Sequence, residues 1–230
     1  MVYNYGIISE ALSLSIQNIM RKLLFFITLI CAITYTSVSY GQKIDLKNLY
    51  KSGKLITYPN NHVAPLNEID NGLSQDHIVW LKDFTFSTGT IEVDLRGKDV
   101  FQQSFLGIAF HGVDTVTYDA IYFRPFNFQS PDTLRKKHTV QYISEPDYPW
   151  ERTRSEHPLV YENAVNPFPL AKDWFHARIV VGKDSITVYV NHSAKASLKV
   201  KKLNNLTDGL LGLWNFGMDG DYANLVVKKD

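Results

Sequence analysis

The stretch FQQSFLGIAFHGVDTVTYDAIYFRPFNFQSPDTLRKKHTVQYISEPDYPWERTR, residues 101–154, decides how the chain folds. Across residues 103–111, Leu106, Ile108 and Phe110 fall on one face and Gly107, Ala109 and His111 on the other. Apolar alternation with a period of two marks a strand, and the small residues on the second face leave room above the sheet. Gly112-Val113-Asp114 turns the chain. Thr117 to Arg124 returns with Ile121 and Phe123 opposite Tyr122 and Arg124, until Pro125, which has no amide proton to give, ends the ladder. A polar connection, Gln129 to Lys137, leads to a third strand, His138 to Ser144. The loop that follows, Glu145 to Arg154, carries more rings, guanidinium groups and carboxylates than a connection between strands needs.

Strand signals continue on both sides. Ile91, Val93 and Leu95 alternate with Glu92, Asp94 and Arg96 before Gly97-Lys98-Asp99. Phe175 to Val181, a turn at Gly182-Lys183-Asp184, and Ile186, Val188 and Val190 read as a hairpin. Ala196 to Val200, Gly209 to Trp214 and Tyr222 to Val227 complete the series. From Ile44 to Leu81 the signals are short and broken, predicting an edge strand or two joined by loops. With no repeat and no long apolar pattern at helical spacing, the expected fold class is all-β, a sandwich or jelly roll of two antiparallel sheets.

The N-terminus is set apart from this domain. Met20-Arg21-Lys22 is a basic start, Leu23 to Thr34 a mainly apolar run, and Ser39-Tyr40-Gly41 supplies small residues for a cleavage site. That run, about a dozen residues, is shorter than the ~20 a membrane-spanning helix needs. Residues 1–41 are therefore expected to be a signal region, with Met20 the true start and a single β-sandwich domain over 42–230. The expected location is secreted or periplasmic, without a membrane span.

Lys and Arg total 24 and Asp and Glu 23; loss of Arg21, Lys22 and Glu10 with the leader leaves the domain balanced. Such a domain has no broad positive field to hold a phosphate backbone, which argues against nucleic acid as a partner. The one cysteine, Cys31, lies in the leader, so the domain is held by its core, and a monomer is expected.

The order Thr90–Arg96, Gly107–His111, Tyr118–Arg124, Trp174–Arg178, Ile186–Asn191, Gly209–Trp214 and Tyr222–Val226 resembles the concanavalin A-like lectin/glucanase superfamily. Within it the chain looks like the laminin-G-like and 3-keto-disaccharide-hydrolase-type domains of secreted bacterial proteins. The resemblance covers roughly residues 83–227 and rests on structural motifs. It implies a concanavalin A-like jelly roll in which a curved sheet offers a concave face to a sugar chain. Glu92-Val-Asp94-Leu-Arg-Gly97 is similar to the strand that carries the catalytic carboxylates in the glucanases of that superfamily, but Gly97 stands where the last glutamate belongs. Glycoside hydrolysis with retention takes two carboxyl groups across the bond, so that mechanism is not carried over. A solvated outer face, with Arg96 offsetting the carboxylates, fits these residues better.

Tyr122 and Arg124 share a strand face, where a ring can stack on a sugar while an arginine fork grips hydroxyls or a carboxylate. The opposing possibility is an amphipathic strand end with the arginine in solvent. Gln141 and Tyr142 cannot share a face, so at most one reaches the site, and Tyr142 is the one assigned to it. Two prolines stiffen the Glu145–Arg154 loop, lowering the entropy cost of presenting Trp150 and Arg152; alternatively Trp150 plugs the core and the charges pair with one another. Glu145 and His111 are the candidate catalytic groups, Glu145 because a carboxyl beside a buried ring has a raised pKa. The seven histidines show no metal-ligand spacing. No cofactor is expected; Ca2+ is conceivable at Asp219-Gly220-Asp221, although so short a turn more often forms a hairpin tip. The expected partner is a carbohydrate or glycoside, processed in a cleft lined by Tyr122, Arg124, Tyr142, Glu145, Trp150 and Arg152. The alternatives are a non-catalytic lectin-like module and a partner-binding sandwich with a flat apolar patch.

Overall fold

Alternating side chains force the described strands into two layers that bury one face of each against the other. The structure is a computed structural model that describes residues 15–23 and 41–230. Residues 15–23 are helical; the rest of the apolar run and the cleavage site of the expected signal up to Tyr40 lie outside the described residues. Residues 41–230 form one unit. One sheet runs in the order β13 (Leu198–Lys201), β12 (Ser185–Val190), β11 (Phe175–Val181), β6 (Gly89–Arg96), β15 (Gly220–Lys229), β4 (Gly72–Gln75) and β3 (Val63–Pro65), with β1 (Gln42–Lys43) also on β15. The other runs β10 (Glu162–Asn163), β9 (Val140–Glu145), β8 (Tyr118–Phe123), β7 (Ser104–Gly112), β14 (Gly209–Gly217), β5 (Val79–Phe86) and β2 (Leu55–Ile56).

Neighbouring strands are antiparallel, as expected. The predicted hairpin is β11–β12, closed at Val181 opposite Ile186, with the Gly182 amide donating to the Ser185 carbonyl at 2.8 Å. Ile91, Val93 and Leu95 of β6, Ile179 and Val181 of β11, and Leu106, Ile108 and Phe110 of β7 all enter the inter-sheet core. The rings of Phe86, Phe110, Phe123, Phe128 and Phe175 are fully buried there. Each contributes about 1.5–3 kcal/mol by leaving water.

The segment from Ile44 to Leu81 contains more than edge strands and loops. It forms β2 to β4, the start of β5 and a short helix, α1 (Leu46–Lys51). Asp45 caps α1 by accepting from the Asn48 amide at 2.9 Å, and Leu46 is buried. The Glu145–Arg154 segment is not wholly a loop either: after a turn it becomes α3 (Trp150–Glu156), starting just after Pro149. A single helical turn, α2 (Thr133–Lys136), lies in the connection before β9.

The sheets differ in how their outer faces are covered. In the first, β6 and β11 alternate between buried and half-buried residues, so that outer face meets solvent. In the second, nearly every residue of β7, β8 and β9 is buried, on both faces. Glu92 and Asp94 stand on the solvated outer face of the first sheet. They hold His176, whose Nδ1 lies 2.8 Å from Asp94 and Nε2 3.1 Å from Glu92, while His192 stacks on the His176 ring at 4.2 Å. Arg96 is engaged elsewhere, donating from Nε to Asp221 at 2.8 Å and pairing with Glu68.

The bond to Asp94 holds the His176 pKa above the ordinary histidine value, against the effect of its burial. A histidine whose folded pKa is raised stabilises the fold fully below its unfolded value, ~6.5, and loses that contribution as pH rises through the folded value. The domain should therefore lose up to about 1 kcal/mol of stability from this site above neutral pH. Urea unfolding of wild type and His176→Asn between pH 5.5 and 8.5 checks it: the two should converge at the alkaline end, and a constant difference would contradict the pairing.

Candidate functional site

The outer face of the second sheet is where the small residues make room. Gly107, Ala109 and Ala120 lie among larger neighbours on β7, β8 and β14. Trp80 fits against Gly112 and Gly212, where an added Cβ would come within 2.5 and 2.6 Å of its ring. Over this floor stand Tyr122 and Trp214, with ring centres 4.7 Å apart and planes tilted 33°. Phe105 lies 6.2 Å from Tyr122 and 5.3 Å from Phe126, and Phe101 edges Phe126 at 5.6 Å. The Trp214 indole donates to the Tyr118 hydroxyl at 3.2 Å. Above them is a hollow of about 740 Å³, within the ~300–1,000 Å³ usual for ligand sites.

One wall is a buried polar network centred on Arg124, which is only 5% exposed. Its Nη2 donates to the Tyr122 hydroxyl and to Gln141 Oε1, and its Nη1 to the His138 carbonyl at 3.1 Å. The Tyr122 hydroxyl in turn donates to Gln141 Oε1 at 2.8 Å, and the Gln141 amide donates to Thr153 of α3 at 2.8 Å. Tyr122 and Gln141 meet because they are cross-strand partners on β8 and β9. Burial pushes the Tyr122 hydroxyl up to about 12, so it is a neutral donor and acceptor. Burial also lowers the Arg124 pKa.

Glu162 of β10 balances this charge. It accepts from Arg154 Nε and Nη2 at 2.9 and 2.6 Å, and Arg124 Nη1 lies 3.8 Å away. Burial disfavours the Glu162 carboxylate, but the paired bond from Arg154 outweighs it and holds its pKa below the ordinary range. The guanidinium of Arg154 also lies over the Trp150 ring at 5.1 Å.

The far end of the hollow is acidic. Glu145 lies opposite Tyr118 across the β8–β9 ladder and is half-buried. It makes no side-chain hydrogen bond among the described residues. Burial, with the charge of Glu151 added, pushes its carboxyl above the ordinary range.

Tyr122, Arg124, Glu145 and Trp150, expected together, all line the hollow. Three other expected residues are elsewhere. Tyr142 points into the inter-sheet core, its hydroxyl donating to buried Asp119 at 2.7 Å; alternation gives the hollow side to Gln141 instead. Arg152 sits on the opposite side of α3 from Trp150 and Arg154, over the Tyr148 ring and bonded to Glu156 at 3.0 Å. Helical periodicity, absent from a loop, separates it from them. His111 breaks the alternation of β7, because it occupies a bulge with φ of 55°. Its ring turns inward, 2.8 Å from Asp119 and 2.7 Å from the Ser87 carbonyl.

The sequence reading omitted the rings of Trp214, Phe105, Phe126 and Phe101, and the guanidinium of Arg135, all of which line the hollow. Phe105 was two residues from Gly107 on the small-residue face, a signal that could have found it. Phe101 and Phe126 come from turns, where alternation gives no guide. Among the described residues no group of His, Cys, Asp and Glu gathers to hold a metal. The turn considered for Ca2+ has its carboxylates engaged, Asp219 with His62 at 2.9 Å and Asp221 with Arg96 at 2.8 Å.

This sandwich has the concanavalin A-like jelly-roll fold. Among solved structures it is similar to the carbohydrate binding module CBM66 from Bacillus subtilis, at 14% identity and a TM-score of 0.54, covering 76% of this chain and 96% of that one. It is similar also to a Bacillus subtilis protein of unknown function with a galectin-like fold, at 12% identity and a TM-score of 0.55, over 82% and 94%. A sialidase matches at 11% identity and a TM-score of 0.53, over 83% of this chain and 18% of its own. No protein-family model and no curated protein matches the chain.

Removing Glu162 tests the wall. Glu162→Gln leaves the Arg124 charge buried with less compensation and should cost about 2–3 kcal/mol, less than the ~3–5 of a fully buried pair because Arg154 is partly solvated. Since the Glu162 pKa is depressed, its contribution is present above the ordinary glutamate range and lost as pH falls through the folded value. Urea midpoints of wild type and variant should therefore converge in acid, and equal midpoints at pH 7 would contradict the role.

Proposed function

We propose that the domain binds carbohydrate in the hollow on the outer face of its second sheet. The observation that carries this reading is the pairing of ring faces with a fixed polar wall. Sugars present C–H faces that pack on aromatic rings and hydroxyls that need donors and acceptors of defined direction. Trp214 and Phe105, both half-buried, supply the faces, and the Arg124–Gln141–Thr153 network fixes the buried Tyr122 ring against which both pack. The carbohydrate binding module among the similar structures fits this reading without carrying it.

A second reading, processing of a glycoside, draws on one feature. Glu145 is half-buried in the hollow, without a side-chain partner among the described residues and with a raised pKa. A carboxyl so placed can protonate a leaving oxygen, and Glu151 brings a second carboxyl to the same hollow. The domain is also read as exported, on the basic start at Met20–Lys22, the apolar run that follows and the small residues before Gln42.

Screening the purified protein on a glycan array tests the binding reading. Trp214→Ala should weaken the best ligand at least tenfold, ~1.4 kcal/mol, and unchanged binding would remove the hollow as the site. If the bound glycan is cleaved, Glu145→Gln should reduce turnover by roughly 10²–10⁴, and wild-type turnover should fall as pH rises through the raised Glu145 pKa. Binding without turnover selects the lectin-like alternative. Export predicts Gln42 as the first residue of the secreted protein, read by N-terminal sequencing.

A further inference from the structure

We infer that the arginine-lined end of the hollow receives the acid group, a carboxylate or a sulfate, of an acidic sugar, and that Arg135 is the residue that grips it. This rests on the carbohydrate reading and names the class of sugar. Arg124, Arg135 and Arg154 all line the hollow, and Glu162 is the carboxylate that pairs with two of them. Glu162 is largely taken: Arg154 holds both its oxygens, His138 Nδ1 lies 2.7 Å from Oε2, and Arg124 comes only within 3.8 Å. Among the described residues neither of the other hollow carboxylates forms an ion pair with these arginines, although Glu151 bears electrostatically on Arg154 and Tyr122. Glu145 is at the opposite end of the β8–β9 ladder, five residues along β9 from Val140 and therefore roughly 16 Å away. Glu151 is close enough to Glu145 to bear on its ionisation.

Arg135 is positioned and left open. Its Nε donates to Asn127 Oδ1 at 3.2 Å and its guanidinium lies over the Phe101 ring at 4.2 Å. Among the described residues it makes no ion pair, and its Nη groups meet no acceptor. A guanidinium held over a ring and anchored through Nε, with both Nη groups free of acceptors, is preorganised for the two oxygens of a planar or tetrahedral anion. The buried charge of Arg124 reaches the same end through the Asn127 and His138 contacts, and screening there is weaker than in water. A neutral sugar would partly desolvate that fork without giving it an anionic partner.

Matched oligosaccharides separate the possibilities: a uronate-containing chain against its carboxyl-reduced form, and a sulfated chain against its desulfated form, titrated by calorimetry. The acidic member of at least one pair should bind tenfold or more tighter, with the preference shrinking as salt is raised. Which pair shows it identifies the acid group. In Arg135→Gln the preference of the acidic over the neutral member should vanish, with the thermal midpoint unchanged; Arg135→Lys should keep part of it. Equal or tighter binding of both neutral members, or an acidic preference that survives Arg135→Gln, would overturn the inference while leaving the carbohydrate reading intact. No binding by any member, or binding indifferent to Trp214→Ala, removes the carbohydrate reading and this inference with it.

Discussion

A guanidinium taken out of water must find partners, and the partners Arg124 finds come from three neighbouring strands and the connection between two of them. Tyr122 is on its own strand, Gln141 on the next, His138 in the connection before it, and Glu162 on the strand beyond. Through Gln141 the same network reaches Thr153 on α3. Each bond is modest alone, but leaving any of these buried groups unmatched is costly. The network thus fixes the Tyr122 ring and seats the helix that carries Trp150 and Arg154.

The two faces of the sandwich take different roles for the same reason. On the first sheet the outer polar residues satisfy one another in partly solvated pairs, such as His176 with Asp94, or reach down to a buried carboxylate, as Arg96 does to Asp221. On the second sheet the outer side chains, Gln141 and its polar partners aside, are apolar or aromatic and sit beside glycine and alanine, which lowers the floor between them. Connections from the strand ends close over part of this face and leave the rest as a hollow. The inter-sheet core supplies rigidity, and the outer face of one sheet supplies the chemistry.

Much of this was legible in the sequence wherever a strand keeps its period. The hairpin of β11 and β12, the core face of β6 and the shared face of Tyr122 and Arg124 all follow from alternation. Alternation stops being a guide where the period changes. One extra residue in the β7 bulge turns His111 inward, and seven residues of helix after Pro149 send Arg152 away from Arg154. Tyr142 and Gln141 were known to be alternatives, and only the register with Tyr122 decides between them. Trp214 and Phe126 come from segments far apart in the chain, and Arg135 from a single helical turn; their meeting is a product of sheet order, which no local pattern encodes. Glu92 and Asp94 stand on the opposite sheet from the hollow, a position their spacing alone does not reveal.

The central claim is that a glycan meets the rings on the outer face of the second sheet. The four tryptophans report on it directly, because each indole N–H gives its own resonance in a proton–nitrogen NMR spectrum. Trp214 and Trp150 line the hollow, whereas Trp174 lies under Arg96 at 4.7 Å on the other sheet. On titration with a bound oligosaccharide, the Trp214 and Trp150 signals should move together while that of Trp174 stays fixed. Movement of Trp174, with Trp214 and Trp150 unchanged, would contradict the account.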